Sequence, residues 1–545
     1  MEKRWVVAQK VSDDLRNQIL SNRNLKSAEE QRKFQHPHFN EFTKTDKLFP
    51  EIEKAVTRII KAIKNKELIF VYGDYDVDGI TGVAILWETI NHLGGTVLPY
   101  IPSRRSEGYG LHSEALEQLA EQGAKVVISV DCGITATTEA QVAKKLGLDL
   151  IITDHHQPQD QLPKPFALIH TTTLAGSGVA FRLAEVLMAT YGGEHDQQSI
   201  KNLELATIGT VADMVPLVGD SRIIVKNGLS GLGKTQRLGL QALYEEAGIG
   251  KVVGTYEIGF IISPRLNAMG RLDSAMDSLR LLLTKNKNRA SSLAQTLGST
   301  NKERQQKTIE VIDHARETIK KDYLGSKFLV VDSYLYPEGV VGLASSRLVE
   351  EFYRPTAVIG KGEKLFKGSA RSIANFNITE AIHKQEKLLV SHGGHPMAAG
   401  FSIEESNIRE FRSNLEQLAE ESLSEKDLIP ILKIDTEISL SQINEELANL
   451  LKEFEPFGMG NPEPLFLTKN LEVVSVRTVG KENNHIKLAL KDKDQRILDA
   501  VGFGLSSIMP NEGEMVDIVY NTRENFWNSR KRLEARIKDL RKVKK

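Results

Sequence analysis

Apolar and polar positions change their spacing several times along this chain. Residues 1 to about 50 are polar and without a period, which predicts a small cap or arm. From 51 the pattern sharpens. Residues 51–66 repeat at helical spacing, and Leu68–Tyr72 is an apolar run of strand length. A loop is expected over 73–79 and a helix over 80–92, closed by Gly94-Gly95. Strand-like runs at 96–101, 125–130 and 149–153 alternate with helical stretches at 111–121 and 135–146. That alternation predicts a parallel sheet with helices on both faces.

Residues 178–300 are largely helical in pattern, and 291–322 form a long charged stretch with few breakers, suited to bridging two domains. A second α/β unit begins near 327, with strands at 328–331, 356–359 and 367–373, a helix at 340–352 and a glycine-rich stretch at 391–402. Short alternating segments at 465–467, 471–476, 486–490, 497–503 and 516–520 predict a small antiparallel barrel. The expected domains are 1–50, 51–230, a helical connector 231–325, then 326–427 and 428–545.

Length and composition agree with such a division. A chain of 545 residues exceeds one ordinary core, and 40% hydrophobic with 26% charged residues is a soluble globular balance. The single cysteine, Cys132, excludes an intrachain disulfide and a Cys-rich zinc site, which makes a reducing cytoplasm the expected compartment. The N-terminus lacks the apolar stretch of a signal peptide, and no apolar run is long enough to span a bilayer. The net charge of −1 is uninformative about a nucleic-acid partner, so any such partner must be read from local patches. One such patch is residues 522–545, with ten Lys/Arg against three acidic residues.

The densest chemistry is Gly73-Asp74-Tyr75-Asp76-Val77-Asp78-Gly79, directly after a strand. Alternate residues of extended backbone point the same way, so three carboxylates converge. They repel unless a cation neutralises them, and oxygen ligands suit Mg²⁺ or Mn²⁺. A calcium loop would need a glutamate at its twelfth position, where this chain has Ile85. Taken alone, the motif also fits a solvated turn. So does Asp154-His155-His156 after the strand at 149–153, and Asp131 after the strand at 125–130 says little by itself. Their shared position changes this. All three sets sit at the carboxyl ends of predicted strands, the edge where open α/β sheets bind ligands. Asp213 adds an acid between apolar neighbours, which needs a partner or a metal. Together they suffice for two divalent cations of the kind that serve phosphoryl displacement.

In this order, Asp-x-Asp, a lone Asp, Asp-His-His and a final Asp resemble the DHH phosphoesterase superfamily. Gly108-Tyr109-Gly110-Leu111, Ser263-Pro264-Arg265-Leu266-Asn267-Ala268-Met269-Gly270-Arg271-Leu272, Gly339-Val340-Val341-Gly342 and Gly393-Gly394-His395-Pro396-Met397-Ala398-Ala399-Gly400 are similar to the signature of its RecJ family. The resemblance runs from about residue 50 to the C-terminus. It implies an α/β fold in which a parallel-sheet DHH domain is joined by a long helix to a smaller α/β DHHA1 domain, followed by an OB-like β-barrel. It implies hydrolysis of single-stranded DNA, 5′→3′ to mononucleotides, with two Mn²⁺ or Mg²⁺ ions, in recombination and repair. The metal ligands it implies are Asp74, Asp76, Asp78, Asp131, His155 and Asp213, with His156 supporting or polarising. A monomer is expected, with a helicase or single-strand-binding protein as partner. Two places depart from the family pattern: Tyr72, where many relatives have histidine, and Tyr336-Pro337-Glu338, where relatives usually carry Trp-His-x.

An exonuclease that works from an end must grip the terminal phosphate, a task for arginine forks. Arg104, Arg265, Arg271 and Arg371 are the candidates, with Ser369 beside Arg371 in a stretch of small residues and hydroxyls. Tyr109, Asn267, Gly394 and His395 join them through the motifs above, and the glycines would let backbone approach DNA closely. In the barrel, Phe526 and Trp527 precede Arg530-Lys531-Arg532, a stacking-and-phosphate combination. The plainer reading is core aromatics and a solvated basic helix end. A DHH phosphoesterase of short oligonucleotides or cyclic dinucleotides is the alternative function. It would need neither the long helix nor the barrel. A strand-binding scaffold without activity would have lost ligand residues.

Overall fold

The computed structural model describes residues 3–103, 107–191, 197–250, 252–272, 274–527 and 530–543. Two compact units emerge. One comprises 5–270, 275–295 and 433–545, the other 1–4, 271–274 and 296–432. Helix Lys287–Asp322, of 36 residues, begins in the first and ends in the second.

The first unit is built around five parallel strands: β1 (Leu68–Gly73), β2 (Thr96–Tyr100), β3 (Ala124–Val130), β4 (Asp149–Asp154) and β5 (Ala167–His170). Their order is β2-β1-β3-β4-β5. The chain leaves β1 in one direction and returns past it to β3, so the topological switch point lies between β1 and β3. Burial on both faces explains the near-continuous apolar runs. Phe70, Tyr72, Val127, Leu150 and Ile152 face a core completed by Leu116, Leu119 and Ala140. Ile69, Val71, Ile128 and Ile151 are equally buried on the other side. Strand β5 was not anticipated.

Helix α1 (Val77–His92) begins inside the expected loop 73–79. The reason is a cap: Asp76 Oδ1 accepts the N–H groups of Asp78 (2.9 Å) and Gly79 (3.1 Å). Helices α2 (Gly176–Tyr191) and α3 (Gln197–Ala212) pack against α1. Residues 1–50 are less irregular than expected, with helices at Leu15–Asn22 and Ala28–Gln35. The second carries a Ser27/Glu30 capping box.

The C-terminal part of this unit is the expected barrel: β11 (Phe466–Val479), β12 (His485–Lys491), β13 (Ile497–Gly502), β14 (Met515–Trp527) and β15 (Arg530–Lys542), numbered after the five strands of the second unit below. It closes in the order β11-β12-β13-β15-β14-β11. Two differences stand out. The runs at 465–467 and 471–476 are one strand with an irregularity between Thr468 and Leu471, and β13 pairs with β15 in parallel rather than antiparallel. The basic end is strand, not a helix end. One side chain joins barrel entry, N-terminal region and sheet domain. Arg222 is buried, lies over the Phe34 ring, and donates to the carbonyls of Phe34 (2.6 Å), Phe454 (2.9 Å), Glu455 (3.0 Å) and Pro456 (3.3 Å).

The second unit holds β6 (Leu329–Pro337), β7 (Thr356–Lys361), β8 (Phe366–Arg371), β9 (Leu389–His395) and β10 (Ala398–Ile403), in the order β9-β10-β8-β7-β6. Only β6 and β7 pair in parallel. The glycine-rich stretch is therefore a hairpin. Tyr336 is buried with its hydroxyl 2.7 Å from His314 Nδ1, Pro337 ends β6, and Glu338 opens helix Glu338–Phe352. No helix among the described residues is long and apolar enough to cross a membrane.

Candidate active site

Because β1, β3 and β4 run parallel, the residues that follow them meet at one edge. Asp74 follows β1, Asp131 follows β3, and Asp154 ends β4. Asp131 takes a left-handed backbone (φ 63°), uncommon outside glycine but tolerated by Asp, and this turns its carboxylate away from the strand direction. Asp78 sits in the first turn of α1 and accepts the backbone N–H groups of Gly176 and Ser177 (3.0 Å) at the start of α2. A helix N-terminus is a favourable place for a buried carboxylate. Asp213 arrives from the C-terminal end of α3.

The donors form three overlapping triads: Asp74, Asp76 and Asp131; Asp131, His155 and His156; Asp78, His155 and Asp213. Within each, one donor atom per residue lies within 4.8 Å of the others. His155 Nε2 is 3.1 Å from Asp131 Oδ1, 3.5 Å from Asp213 Oδ2 and 3.9 Å from Asp78 Oδ2. All seven side chains expected at a metal centre are thus brought together.

The electrostatics are those of a site that wants cations. Burial, then the charges of Asp78, Asp76, Asp74 and Asp213, push the Asp131 carboxyl far above its ordinary value. Burial and Asp78 raise Asp76. Burial, then Asp78 and Asp76, push Asp213 up to about 9. Burial holds His155 below its usual value, which keeps the imidazole neutral with a lone pair to offer. Asp131 Oδ1 and His155 Nε2 are both buried and make no hydrogen bond. Two acceptor atoms aimed at one gap suit a shared cation, and a carboxylate-imidazole set of this size suits Mn²⁺ or Mg²⁺.

Asp154, which the sequence offered in Asp154-His155-His156 without a role of its own, organises the histidines. It is fully buried. Its Oδ1 accepts the His155 N–H (2.7 Å), the His156 N–H and His156 Nδ1 (2.8 Å), while Oδ2 accepts the Ile134 N–H (2.7 Å). Burial acts to lower the His156 pKa, but the bond to Asp154 outweighs it and the net shift is upward. Tyr109 OH lies 3.1 Å from His156 Nδ1 and 3.3 Å from the Asp131 carbonyl. An aspartate directly after a predicted strand and before two histidines was the available signal. Tyr72 offers no ligand. Its ring stacks on Tyr100 in the core and its hydroxyl donates to the Gly110 carbonyl (2.9 Å), supporting the turn that carries Tyr109.

Arg265 is occupied, with Nε on Glu246 (2.7 Å) and Nη1 on the Ile261 carbonyl (2.9 Å). Asn267, on the same helix (Ser263–Leu272), accepts the Val77 N–H (3.1 Å) and so braces the aspartate loop. Arg104 and the Arg271 side chain lie outside the described residues, as do the side chains of Phe526, Trp527, Arg530 and Lys531.

In the second unit, Arg371 Nη1 donates to Ser369 Oγ (2.8 Å) and the Ala370 carbonyl (2.9 Å). No carboxylate pairs with Arg371 among the described residues, and burial lowers its pKa. Gly394 has a local reason. At φ 150°, a Cβ there would stand 2.3 Å from the Ala398 carbonyl oxygen inside the hairpin, whereas Gly393 faces open space. The His395 side chain is exposed. On the barrel the Phe503 ring is exposed, with His485 edge-on and the Arg536 guanidinium 5.0 Å above it.

In metal-free protein the folded state binds a proton at Asp213 up to about pH 9, the unfolded state only to about 3.8. Its contribution to stability is therefore present at low pH and is lost as pH rises through 9. Chelated protein is predicted to melt several degrees lower at about pH 9 than at about pH 5, and Asp213→Asn to show a smaller drop. Equal slopes in thermal scans would contradict the charge account.

Three family models match in succession: the DHH family N-terminal domain over residues 68–210, the DHHA1 domain over 325–421 and the RecJ OB domain over 434–539. The single-stranded-DNA-specific exonuclease RecJ of Bacillus subtilis is 37% identical over 536 residues, covering 96% of this chain and 67% of that protein. RecJ of Escherichia coli is 32% identical, covering 90% of each. The crystal structure of Thermus thermophilus RecJ in complex with Mn²⁺ superposes with a TM-score of 0.85 at 28% identity, covering 99% of this chain and 80% of that one.

Proposed function

The chain belongs to the RecJ family, and from that premise we propose that it is an exonuclease that hydrolyses single-stranded DNA 5′→3′ to mononucleotides, with two Mn²⁺ or Mg²⁺ ions. The observation that carries this reading is the set of three overlapping triads at the β1/β3 edge, one of three carboxylates and two that mix carboxylate and imidazole. Asp74, Asp76, Asp78, Asp131, His155 and Asp213 are assigned as the ligands, with Asp131 and His155 each common to two triads. Bound there, divalent cations would acidify a water and offset charge on the scissile phosphate.

The chain's own groups have separable tasks. Asp78 is oriented by the backbone at the start of α2, and Asp76 by the first turn of α1. The bond from Nδ1 to Asp154 orients the His156 ring, which leaves Nε2 to face a phosphate oxygen. Tyr109 fixes that ring from the open side. Arg371 with Ser369 is assigned to the 5′ phosphate, because a half-buried guanidinium with no carboxylate partner among the described residues is suited to a phosphate fork. Gly393, Gly394 and His395 line the same hairpin sheet, and the barrel with Phe503 and Arg536 is assigned to the strand beyond the cut. One chain supplies the whole donor set, so a monomer suffices. The buried Cys132 thiol suits the cytoplasm, where a helicase or a single-strand-binding protein would present the strand.

His155→Ala is predicted to lower Mn²⁺-dependent nucleotide release from end-labelled single strands by about a thousandfold. Its affinity for the same strand in chelator should stay near that of the unaltered protein. Parallel loss of binding would remove His155 from the ligand set, and cleavage restricted to dinucleotides would replace the exonuclease reading with a small-substrate one. Arg371→Ala should reduce the preference for a 5′-phosphorylated over a 5′-hydroxyl end by about tenfold. An unchanged preference would take Arg371 out of the pocket.

A further inference from the structure

A second group of metal-ligating side chains lies away from the aspartate edge, wholly within the second unit. His383 ends helix Ile378–His383, Glu386 opens the single turn Glu386–Leu388, and His392 stands in β9. One donor atom from each lies within 4.8 Å of the other two. The two imidazole ring centroids are 5.3 Å apart. Glu386 Oε2 is 3.8 Å from His383 Nδ1, too far for a hydrogen bond. The His383 and Glu386 side chains are 66% and 57% exposed, and His392 is exposed as well.

Free side chains in water do not converge unless the backbone brings them together, and here it is fixed on both sides. The start of helix Ile378–His383 is tied to the hairpin: the Ile378 N–H donates to the Pro396 carbonyl (2.9 Å) and Thr379 Oγ1 to the His395 carbonyl (2.6 Å). The segment that carries Glu386 is tied to helix Ile408–Ser422. Asn414 Nδ2 donates to the Gln385 side-chain oxygen (2.9 Å), and Asn407, which precedes that helix, donates to the Leu388 carbonyl (3.1 Å). His383 and Glu386 are three residues apart, the spacing that places two side chains on one side of a helical turn. The strand then returns His392 to the same spot.

We propose that His383, Glu386 and His392 form a further cation site, one for Zn²⁺ or a similar late transition ion, that clamps edge strand β9 to the helix beneath it. Two imidazoles and one carboxylate are a donor set that suits Zn²⁺, with water completing four-coordination. Around Zn²⁺ such donors stand about 2 Å from the ion and so roughly 3.3 Å from one another, a closure that rotation of exposed side chains supplies. Mg²⁺ prefers oxygen ligands and Mn²⁺ stands at the weak end of the affinity order, so the ions suited to the aspartate edge leave this site empty. The clamp has a defined place on the sheet. His392 pairs with Phe401 and faces its side, whereas Gly393 and His395 pair with Gly400 and Ala398 and share the opposite face with Ser369 and Arg371. An ion on the back of the hairpin therefore steadies the strand whose front carries Gly393 and His395. The inference is independent of the reaction catalysed at the aspartate edge.

The test counts Zn²⁺ on the full chain by equilibrium dialysis of chelator-treated protein, and follows backbone hydrogen exchange on the same samples. The unaltered chain is expected to bind one more Zn²⁺ than the double variants His383→Ala/His392→Ala and His383→Gln/His392→Gln, since the aspartate edge is the same in all three. Glu386→Gln should weaken that ion at least about tenfold. Zn²⁺ should slow amide exchange over residues 389–395 severalfold in the unaltered chain and leave it unchanged in the double variants. Equal Zn²⁺ counts in the unaltered chain and the double variants would overturn the site. An extra ion that leaves exchange over 389–395 unaltered would overturn the clamp.

Discussion

Five carboxylates, those of Asp74, Asp76, Asp78, Asp131 and Asp213, are held by this chain at a spacing where like charges repel. The fold around them exists to impose that spacing. Parallel strands β1 and β3 deliver Asp74 and Asp131 side by side at the switch point. The left-handed turn at Asp131, the α1 cap at Asp76 and the N-terminus of α2 then aim three carboxylates inward. The upward pKa shifts of Asp131, Asp76 and Asp213 are the electrostatic record of this arrangement before a cation neutralises it. A site so costly in charge is a site built for something that removes the charge.

The second constraint is attachment. A barrel that handles a strand is useful only if held in register with the edge that cuts it. Arg222 meets this need within the first unit by gathering four carbonyls from the N-terminal helix and the barrel entry onto one guanidinium. A buried guanidinium stays charged only if its donors are satisfied, so the three segments are bound to one geometry.

Legibility from sequence followed the range of the forces involved. The alternation of strands and helices, the long helix and the barrel strands were readable because burial on one or two faces leaves a period in the chain. The Asp74–Asp78 loop, Asp131 and His155 were readable because they follow predicted strands, and Asp213 because it is an acid between apolar neighbours. What escaped depends on partners distant in sequence. Asp154 looked like part of a turn, since its role is set by His156 and Ile134. Arg265 looked like a phosphate ligand, since nothing local announces Glu246. The hairpin at 389–403 read only as a glycine-rich stretch because Gly394 is demanded by its neighbour Ala398, and the basic C-terminal strand was masked by its charge. The helices at Leu15–Asn22 and Ala28–Gln35 were missed because they are short and lean on caps more than on an apolar stripe.

The central claim is that this edge binds two cations together rather than one. Counting Mn²⁺ bound to the full chain, with electron paramagnetic resonance on the same samples, tests it most directly. Two ions sharing the Asp131 carboxylate would lie within about 4 Å, as in two-metal sites generally. The account predicts two Mn²⁺ per chain with an exchange-coupled signal that Asp131→Asn abolishes. A single ion per chain, or two uncoupled ions, would contradict it.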